Sequence, residues 1–129
     1  MYPTELRYTR DHEWVRKDGD GTLTVGLTAW AVKQLGEVVF VDQPAVGTDF
    51  DQEDTFGTIE SVKAVSELFI PVAGKVVAVN DDLIDSPELV NDDPYGDGWM
   101  ITLRPSDAKA YDGLMSAAQY EKLVTEADD

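Results

Sequence analysis

The chain has 129 residues, no cysteine, and 26 acidic against 10 basic residues, which gives a net charge of -16. So negative a protein repels phosphate backbones and anionic membranes, and we expect neither nucleic acid nor membrane partners. The absence of cysteine excludes a disulfide framework, a thiolate nucleophile and a cysteine-based metal site.

The first elements are predicted to form a β-hairpin. Residues 5–17 alternate apolar and polar side chains, as a single strand does if it contains a kink or bulge. The DGDG segment at 18–21 is typical of a turn, and residues 22–27 return as a second strand. With this length, the pattern favours one domain over residues 1–129.

A short helix and a strong strand follow the hairpin. Thr28 is placed to cap a helix over residues 29–35, because its hydroxyl can accept a bond from a free amide of the first turn. Gly36 supplies the left-handed conformation that ends such helices. The next strand covers residues 37–42, with VVFV at its centre.

The next two predicted strands flank a tight reversal that carries one lysine. Residues 55–62 and 65–72 are rich in Thr, Val, Ile and Phe, so the chain turns between them and Lys63 lies at the tip of a hairpin. It is the only base between Lys33 and Lys75. We expect its ammonium to be in water and unpaired, which makes it a good target for acylation because no contact is lost with the charge.

The C-terminal part is predicted to end in a helix. Strands are predicted over 75–79 and 99–103. Between them lies an acidic loop, residues 80–97, whose prolines and glycines disfavour regular structure over much of its length. Ser116 and Gln119 form a capping box for a helix that ends near Glu126.

Four segments together resemble the glycine cleavage H-protein family. The string ESVKAVSELFIPVAGKVVAVN around Lys63 resembles the lipoyl-attachment segment, and HEWV, GLTAWAVKQLGEVVFVDQPAVG and NDDPYGDGWM match in kind and in order. The resemblance runs from about Tyr8 to about Arg104. It implies a mostly β fold, a barrel-sandwich hybrid of two antiparallel sheets with short helices, including one at the C-terminus.

The resemblance also implies a function. A member of this family carries lipoate as an amide on the residue that matches Lys63, attached by a lipoate ligase or an octanoyltransferase. It takes an aminomethyl group from the P protein (glycine decarboxylase) to the T protein (aminomethyltransferase), and the L protein (dihydrolipoyl dehydrogenase) reoxidises it. The carrier is not itself an enzyme. With no membrane-length apolar run and no signal core, we expect a cytoplasmic protein.

Three acids are candidate site residues by their position in the motifs. Glu60 resembles the acid that the modifying enzymes require three residues before the lysine. Glu13 of HEWV and Glu67 of KAVSE are candidates to hold the ammonium of the loaded arm, since a carboxylate binds an ammonium well. Trp30 departs from the family, where His or Tyr is common, and is expected to alter the cleft that receives the arm.

Other functions remain as alternatives. The chain could relay octanoyl or lipoyl groups to 2-oxoacid dehydrogenases, or be an unmodified acidic binding module. A biotin carrier is disfavoured because methionines typically flank the lysine in that family, whereas Val62 and Ala64 stand here. An enzyme is the weakest alternative: His12 is the only histidine, no nucleophile motif is present, and no metal-ligand spacing stands out.

Overall fold

The computed structural model describes residues 2–128, with side chains through residue 126. The elements are β1 Arg7–Tyr8, β2 Glu13–Lys17, β3 Leu23–Leu27, α1 Ala29–Leu35, β4 Val38–Asp42, β5 Asp49–Phe50, β6 Thr55–Ser61, β7 Val65–Phe69, β8 Gly74–Val79, α2 Asp82–Asp85, α3 Leu89–Asp92, β9 Ile101–Pro105, a 3-10 turn Ala110–Gly113 and α4 Ala117–Asp128.

These strands form two antiparallel sheets. One has six strands in the order β1-β2-β3-β9-β8-β5, and the other has three in the order β4-β6-β7. The predicted fold class, mostly β with two antiparallel sheets, short helices and a C-terminal helix, is confirmed. Among residues 2–128, no helix has the length and apolar character needed to cross a membrane.

The main core is formed by inward side chains of both sheets. Its fully buried members are mostly β-branched or leucine, which pack well on a pleated surface; they include Val25, Ile59, Ile70, Val76, Ile101 and Leu103. Burial of each such side chain contributes about 1.5–3 kcal/mol to folding. The two sheets therefore form one packed unit, on which the loops and short helices rest.

A second, aromatic cluster attaches the C-terminal helix. Tyr8 of β1 stacks on Tyr120 of α4 with ring centroids 4.8 Å apart, and both side chains are fully buried. Trp14 of β2 is also buried, and its Nε1 donates to the carbonyl of Pro94 at 2.8 Å. The cluster thus fixes α4 and the acidic loop to the same end of the six-stranded sheet.

The predicted limits of α1 and the caps of α4 are confirmed. The Thr28 hydroxyl accepts from the Ala31 amide at 3.3 Å, and Gly36 ends α1 with φ +80°. The Ser116 hydroxyl accepts from the Gln119 amide, and the Gln119 side chain accepts from the Ser116 amide. These local signals involve residues three positions apart, so the sequence suffices to locate them.

Two predicted strands have other bounds, since β7 ends at Phe69 rather than at residue 72 and β9 covers Ile101–Pro105 rather than 99–103. Two further segments differ in the kind of structure they form. Residues 5–17 do not form one kinked strand: β1 turns back and pairs with β2, because the Thr9 hydroxyl accepts from the amides of Asp11 and Glu13 and holds a turn with His12 at φ 68°. The acidic loop contains the single-turn helices α2 and α3, each held by one buried side chain, Leu83 and Val90.

Gly26 allows the buried indole of Trp14 to lie against β3. The two residues are directly opposite in the β2–β3 pair, and a Cβ at Gly26 would lie 2.6 Å from the Trp14 ring. We expect Gly26→Ala to lower the free energy of unfolding by about 2 kcal/mol, because the indole must shift in a packed core. Urea unfolding measures this. Gly19→Ala, where a Cβ would meet nothing within 4 Å, is the control; equal losses in both variants would contradict the steric explanation.

Candidate functional site

Lys63 lies at the tip of the β6–β7 hairpin, as the sequence predicts. The Ser61 amide donates to the Ala64 carbonyl at 2.8 Å, and the Ser61 hydroxyl accepts from the amides of Lys63 and Ala64. The Val62 amide donates to the carbonyl of Glu37 next to β4. Because the amides of all four residues 61–64 are hydrogen-bonded, the tip is a defined turn that presents Lys63 at the surface.

The Lys63 ammonium is not unpaired, and this expectation was wrong. Its Nζ donates to the main-chain carbonyl of Gln34, in the last turn of α1, at 3.2 Å. The side-chain methylenes pass over Gly36, where a Cβ would lie 3.4 Å from Lys63 Cδ. The carbonyls at a helix C-terminus lack partners within the helix and carry partial negative charge, which attracts a cation. The contact is exposed, so the amine remains accessible.

A cleft of about 280 Å³ lies between α1 and β7, next to this lysine. Its walls are mostly apolar: Leu27, Ala31, Leu35, Ile59 and Leu68. The polar residues Asp11, Gln34, Ser66 and Glu67 also line it. Since Gln34 lines the cleft and accepts from Nζ, the lysine ammonium lies next to a residue of the cleft wall.

The structure separates the two acids that the sequence grouped as arm contacts. Glu67 is exposed on β7 and lines the cleft. Glu13 is buried and is not a lining residue. Its Oε2 accepts from the Phe69 amide at 2.8 Å, and its Oε1 accepts from the Thr9 hydroxyl at 3.4 Å. Burial raises the pKa of Glu13 well above its usual value, although the bond from Phe69 opposes this shift.

Sequence reasoning missed Asp11, which supplies the second carboxylate of the cleft. The only signal was its position immediately before HEWV. Asp11 is also hydrogen-bonded to Glu53, and this bond, followed by burial, raises the pKa of Glu53. The turn between β1 and β2, absent from the sequence interpretation, is what brings Asp11 to the cleft.

Trp30 and His12 pack against each other at one side of the cleft. Trp30 lines the cleft and stacks on the His12 ring, with centroids 4.2 Å apart. His12 Nδ1 lies 2.9 Å from the Tyr120 hydroxyl, which is also 2.7 Å from the hydroxyl of Thr28. Burial lowers the pKa of His12, which favours the neutral ring. The histidine therefore connects α4 to α1. Among the described residues, no group of side chains is suited to bind a metal ion.

Glu60 lies on a different surface from the cleft. It is exposed on β6, where it is opposite Phe40 of β4 on one side and Val65 of β7 on the other. The three acids of the sequence analysis thus occupy different environments. Glu13 lies in the core, and Glu60 lies on the outer face of the three-stranded sheet. Glu67 is two residues from Val65 on that same face, but β7 is the edge strand, so Glu67 also borders the cleft.

Comparisons with known proteins agree on one family. The family model described as glycine cleavage H-protein matches residues 6–127. The chain is 52% identical over 126 residues to the glycine cleavage system H protein of Anaeromyxobacter sp. (strain K), with 98% of each chain covered. It is 49% identical over 127 residues to that of Chromohalobacter salexigens, covering 98% of this chain and 97% of that one. A crystal structure of such a protein from Mycobacterium marinum matches with TM-score 0.88 and 37% identity, over 96% of this chain and 99% of that one.

The raised pKa of Glu13 predicts a specific dependence of stability on pH. Between the ordinary carboxyl pKa and the raised one, the folded state binds the proton that the unfolded state has lost, so stability falls as pH rises, by up to ~1.4 kcal/mol per pH unit. Glu13→Gln keeps an acceptor for the Phe69 amide and should lose this contribution. Urea unfolding measured at several pH values between about 4.5 and about 8, roughly that window, tests this dependence of stability on pH.

The control for removal of a negative charge is Glu121→Gln, on the exposed surface of α4. The quantity to compare is the difference in unfolding free energy between Glu13→Gln and wild type at each pH. A difference that stays constant across the range would show that Glu13 is ionised in the folded protein.

Proposed function

Because the chain belongs to the glycine cleavage H-protein family, we propose that it is the lipoylated shuttle of that system. In this role it carries the aminomethyl group from the P protein to the T protein and is reoxidised by the L protein. The observation that supports this most directly is the position of Lys63, at the tip of a defined turn and at the mouth of an apolar cleft.

Lys63 is suited to carry an amide. Val62 and Ala64 beside it are exposed and uncharged, so the approach to Nζ is open. Acylation removes the charge, and with it only an exposed bond to the Gln34 carbonyl. An amide nitrogen still has one N–H, which can donate to the same carbonyl. Attachment therefore costs little folding stability.

The cleft residues fit a lipoyl group. An aliphatic chain and a dithiolane ring need apolar walls, which Leu27, Leu35 and Leu68 provide, and the volume of about 280 Å³ is near the lower end of ligand pockets, ~300 Å³. Lipoate on Lys63 would supply a dithiolane disulfide that is reduced as it accepts the one-carbon unit and is reoxidised after that unit has been passed on. The attachment point and the cleft share Gln34, so no hinge motion of the chain is required.

The chain's own residues would protect the loaded arm. Glu67 and Asp11 border the cleft, so their carboxylates can reach an ammonium group held there, while the apolar walls exclude the water that causes hydrolysis. Glu13 is proposed to act from inside the core. It accepts from the Phe69 amide, which fixes the end of β7, and from the Thr9 hydroxyl, which fixes the turn that carries Asp11. It is thus a positioning residue for both cleft carboxylates.

Attachment of lipoate is tested by intact mass with peptide mapping. After incubation with lipoate ligase, ATP and lipoate, we expect one lipoyl group on the wild type, at Lys63, and none on Lys63→Arg. The arginine keeps the positive charge next to α1 but is not a substrate for amide formation. Lys75→Arg, at an exposed lysine of β8, is the matched control and should be modified like wild type.

An unmodified wild type, with a ligase that is active on another carrier, would contradict the carrier function. It would leave an acidic binding module as the alternative. Modification of Lys63→Arg would show that the attachment site is another lysine.

The role of Glu67 is tested by the lifetime of the loaded protein in the absence of the T protein. Its carboxylate is exposed, so its ion pair with an ammonium is worth about 0.2–1 kcal/mol. Glu67→Gln should therefore speed the release of ammonia and formaldehyde by a factor between about 1.4 and about 5. Asp11→Asn in addition should speed it further. Glu37→Gln, an exposed acid outside the residues that line the cleft, is the control; release at the wild-type rate from Glu67→Gln would exclude this role.

A further inference from the structure

The outer face of the three-stranded sheet carries a row of exposed side chains next to the lysine. Phe40 of β4 is paired with Glu60 of β6, and Glu60 is paired with Val65 of β7. Side chains alternate along strands, and the neighbours Val41, Ile59 and Leu68 are buried in the core. Phe40, Glu60 and Val65 therefore form one row on the solvent side, a single step before the hairpin tip.

Exposed apolar side chains are concentrated on this face. Of the six large hydrophobic side chains found exposed among the described residues, four belong to β4, β7 or the hairpin tip: Val39 (47%), Phe40 (53%), Val62 (66%) and Val65 (63%). The register shift between Val38 and Phe40 explains why two consecutive residues of β4 are exposed. A group of exposed apolar side chains, unlike one that stands alone, is typical of an interaction site, so this group near the hairpin tip indicates a partner that covers it.

Carboxylates surround the apolar side chains. Glu37, Asp42, Glu60 and Glu67 are all exposed on or next to these three strands, and Lys63 is the only base in residues 37–69. Such a surface, apolar at its centre and acidic at its rim, complements a partner with an apolar pocket and lysines or arginines around it.

The possible partners of this face differ in how far from the backbone of Lys63 they act. An enzyme that acylates Nζ must bring its active site within one lysine side chain of the backbone at residue 63, so it has to cover the surface around the tip. Proteins that act on the far end of a lipoyl arm are further away by the length of that arm. The residues adjacent to the tip therefore belong to the contact with the acylating enzyme.

We propose that Phe40 and Val65, on either side of the acid whose recognition the family resemblance already implies, form the apolar part of the docking surface for the enzyme that attaches the acyl group to Lys63. The proposal rests on the proposed function, in that it requires Lys63 to be lipoylated. Phe40 and Val65 supply the apolar contact, and Glu60 between them pairs with a base of the enzyme. The two faces of the hairpin then have different uses: the cleft side shelters the arm, and the outer side is recognised while the arm is attached.

The test compares threonine variants in ligase kinetics. Threonine suits an exposed strand position, so the fold should persist. With lipoate ligase, ATP and lipoate, we expect kcat/KM for transfer to Lys63 to fall about tenfold or more in Phe40→Thr and about threefold in Val65→Thr, mainly through KM, because a buried aromatic contact is worth over ~1.4 kcal/mol at an interface. Glu60→Gln should lower kcat/KM and weaken its dependence on salt.

Val46→Thr is the matched control for Val65→Thr. Val46 is 59% exposed, close to the exposure of Val65. It lies between β4 and β5, past the end of β4 that is far from Lys63. Its kcat/KM should be within about twofold of wild type, which corresponds to less than ~0.5 kcal/mol. Acetylation of Lys63 by a small amine-reactive ester, followed by peptide mapping, should proceed equally in all variants if the tip is unchanged.

The outcomes separate this proposal from the one it rests on. If wild type is never lipoylated, the carrier function fails. If wild type is lipoylated and Phe40→Thr and Val65→Thr react at its rate, the docking surface is wrong while the carrier function stands. Normal lipoylation of Phe40→Thr with impaired coupling to the P protein would assign this face to the P protein, and would also overturn the proposal.

Discussion

The buried carboxyl group of Glu13 connects the two sheets at the place where the candidate site is formed. Glu13 belongs to β2 of the six-stranded sheet, and it accepts from the amide of Phe69 at the end of β7 in the three-stranded sheet. Burial of a carboxyl group costs free energy unless its oxygens are hydrogen-bonded, and both oxygens of Glu13 are hydrogen-bonded. Because the same side chain also holds Thr9, the position of β7 and that of the Asp11 turn depend on one residue.

The surroundings of Lys63 combine rigidity with access. Ser61 closes the turn, and the end of α1 receives the ammonium, yet neither contact covers Nζ. The end of α1 is in turn fixed through Thr28, whose hydroxyl contacts Tyr120 of the C-terminal helix. A defined backbone with an accessible side-chain end suits a carrier, because a flexible arm on a fixed point gives a high effective concentration at each partner.

The hairpin has two surfaces with different chemistry. The side toward α1 is an apolar cleft with carboxylates of Asp11 and Glu67, which suits a cationic group at the end of a hydrophobic arm. The opposite side has an aromatic residue, a valine and an acid in one row, which suits another protein. One β-hairpin can serve both because Ser66 and Leu68 of β7 alternate with Val65 and therefore point to the other face. Glu67 shares the face of Val65 and borders the cleft from the edge strand.

The sequence by itself determined the features that depend on neighbouring residues. The limits of α1, the capping box of α4, the β6–β7 hairpin and Lys63 at its tip follow from short-range patterns, and the family follows from ordered motifs. Tertiary structure alone decided that Lys63 Nζ contacts Gln34, 29 residues away, that Asp11 enters the cleft, and that Glu13 is buried. It also placed Phe40, Glu60 and Val65 in one row. These arrangements depend on strand order and register, and a shift of one residue would exchange the faces of a strand without any change in local sequence.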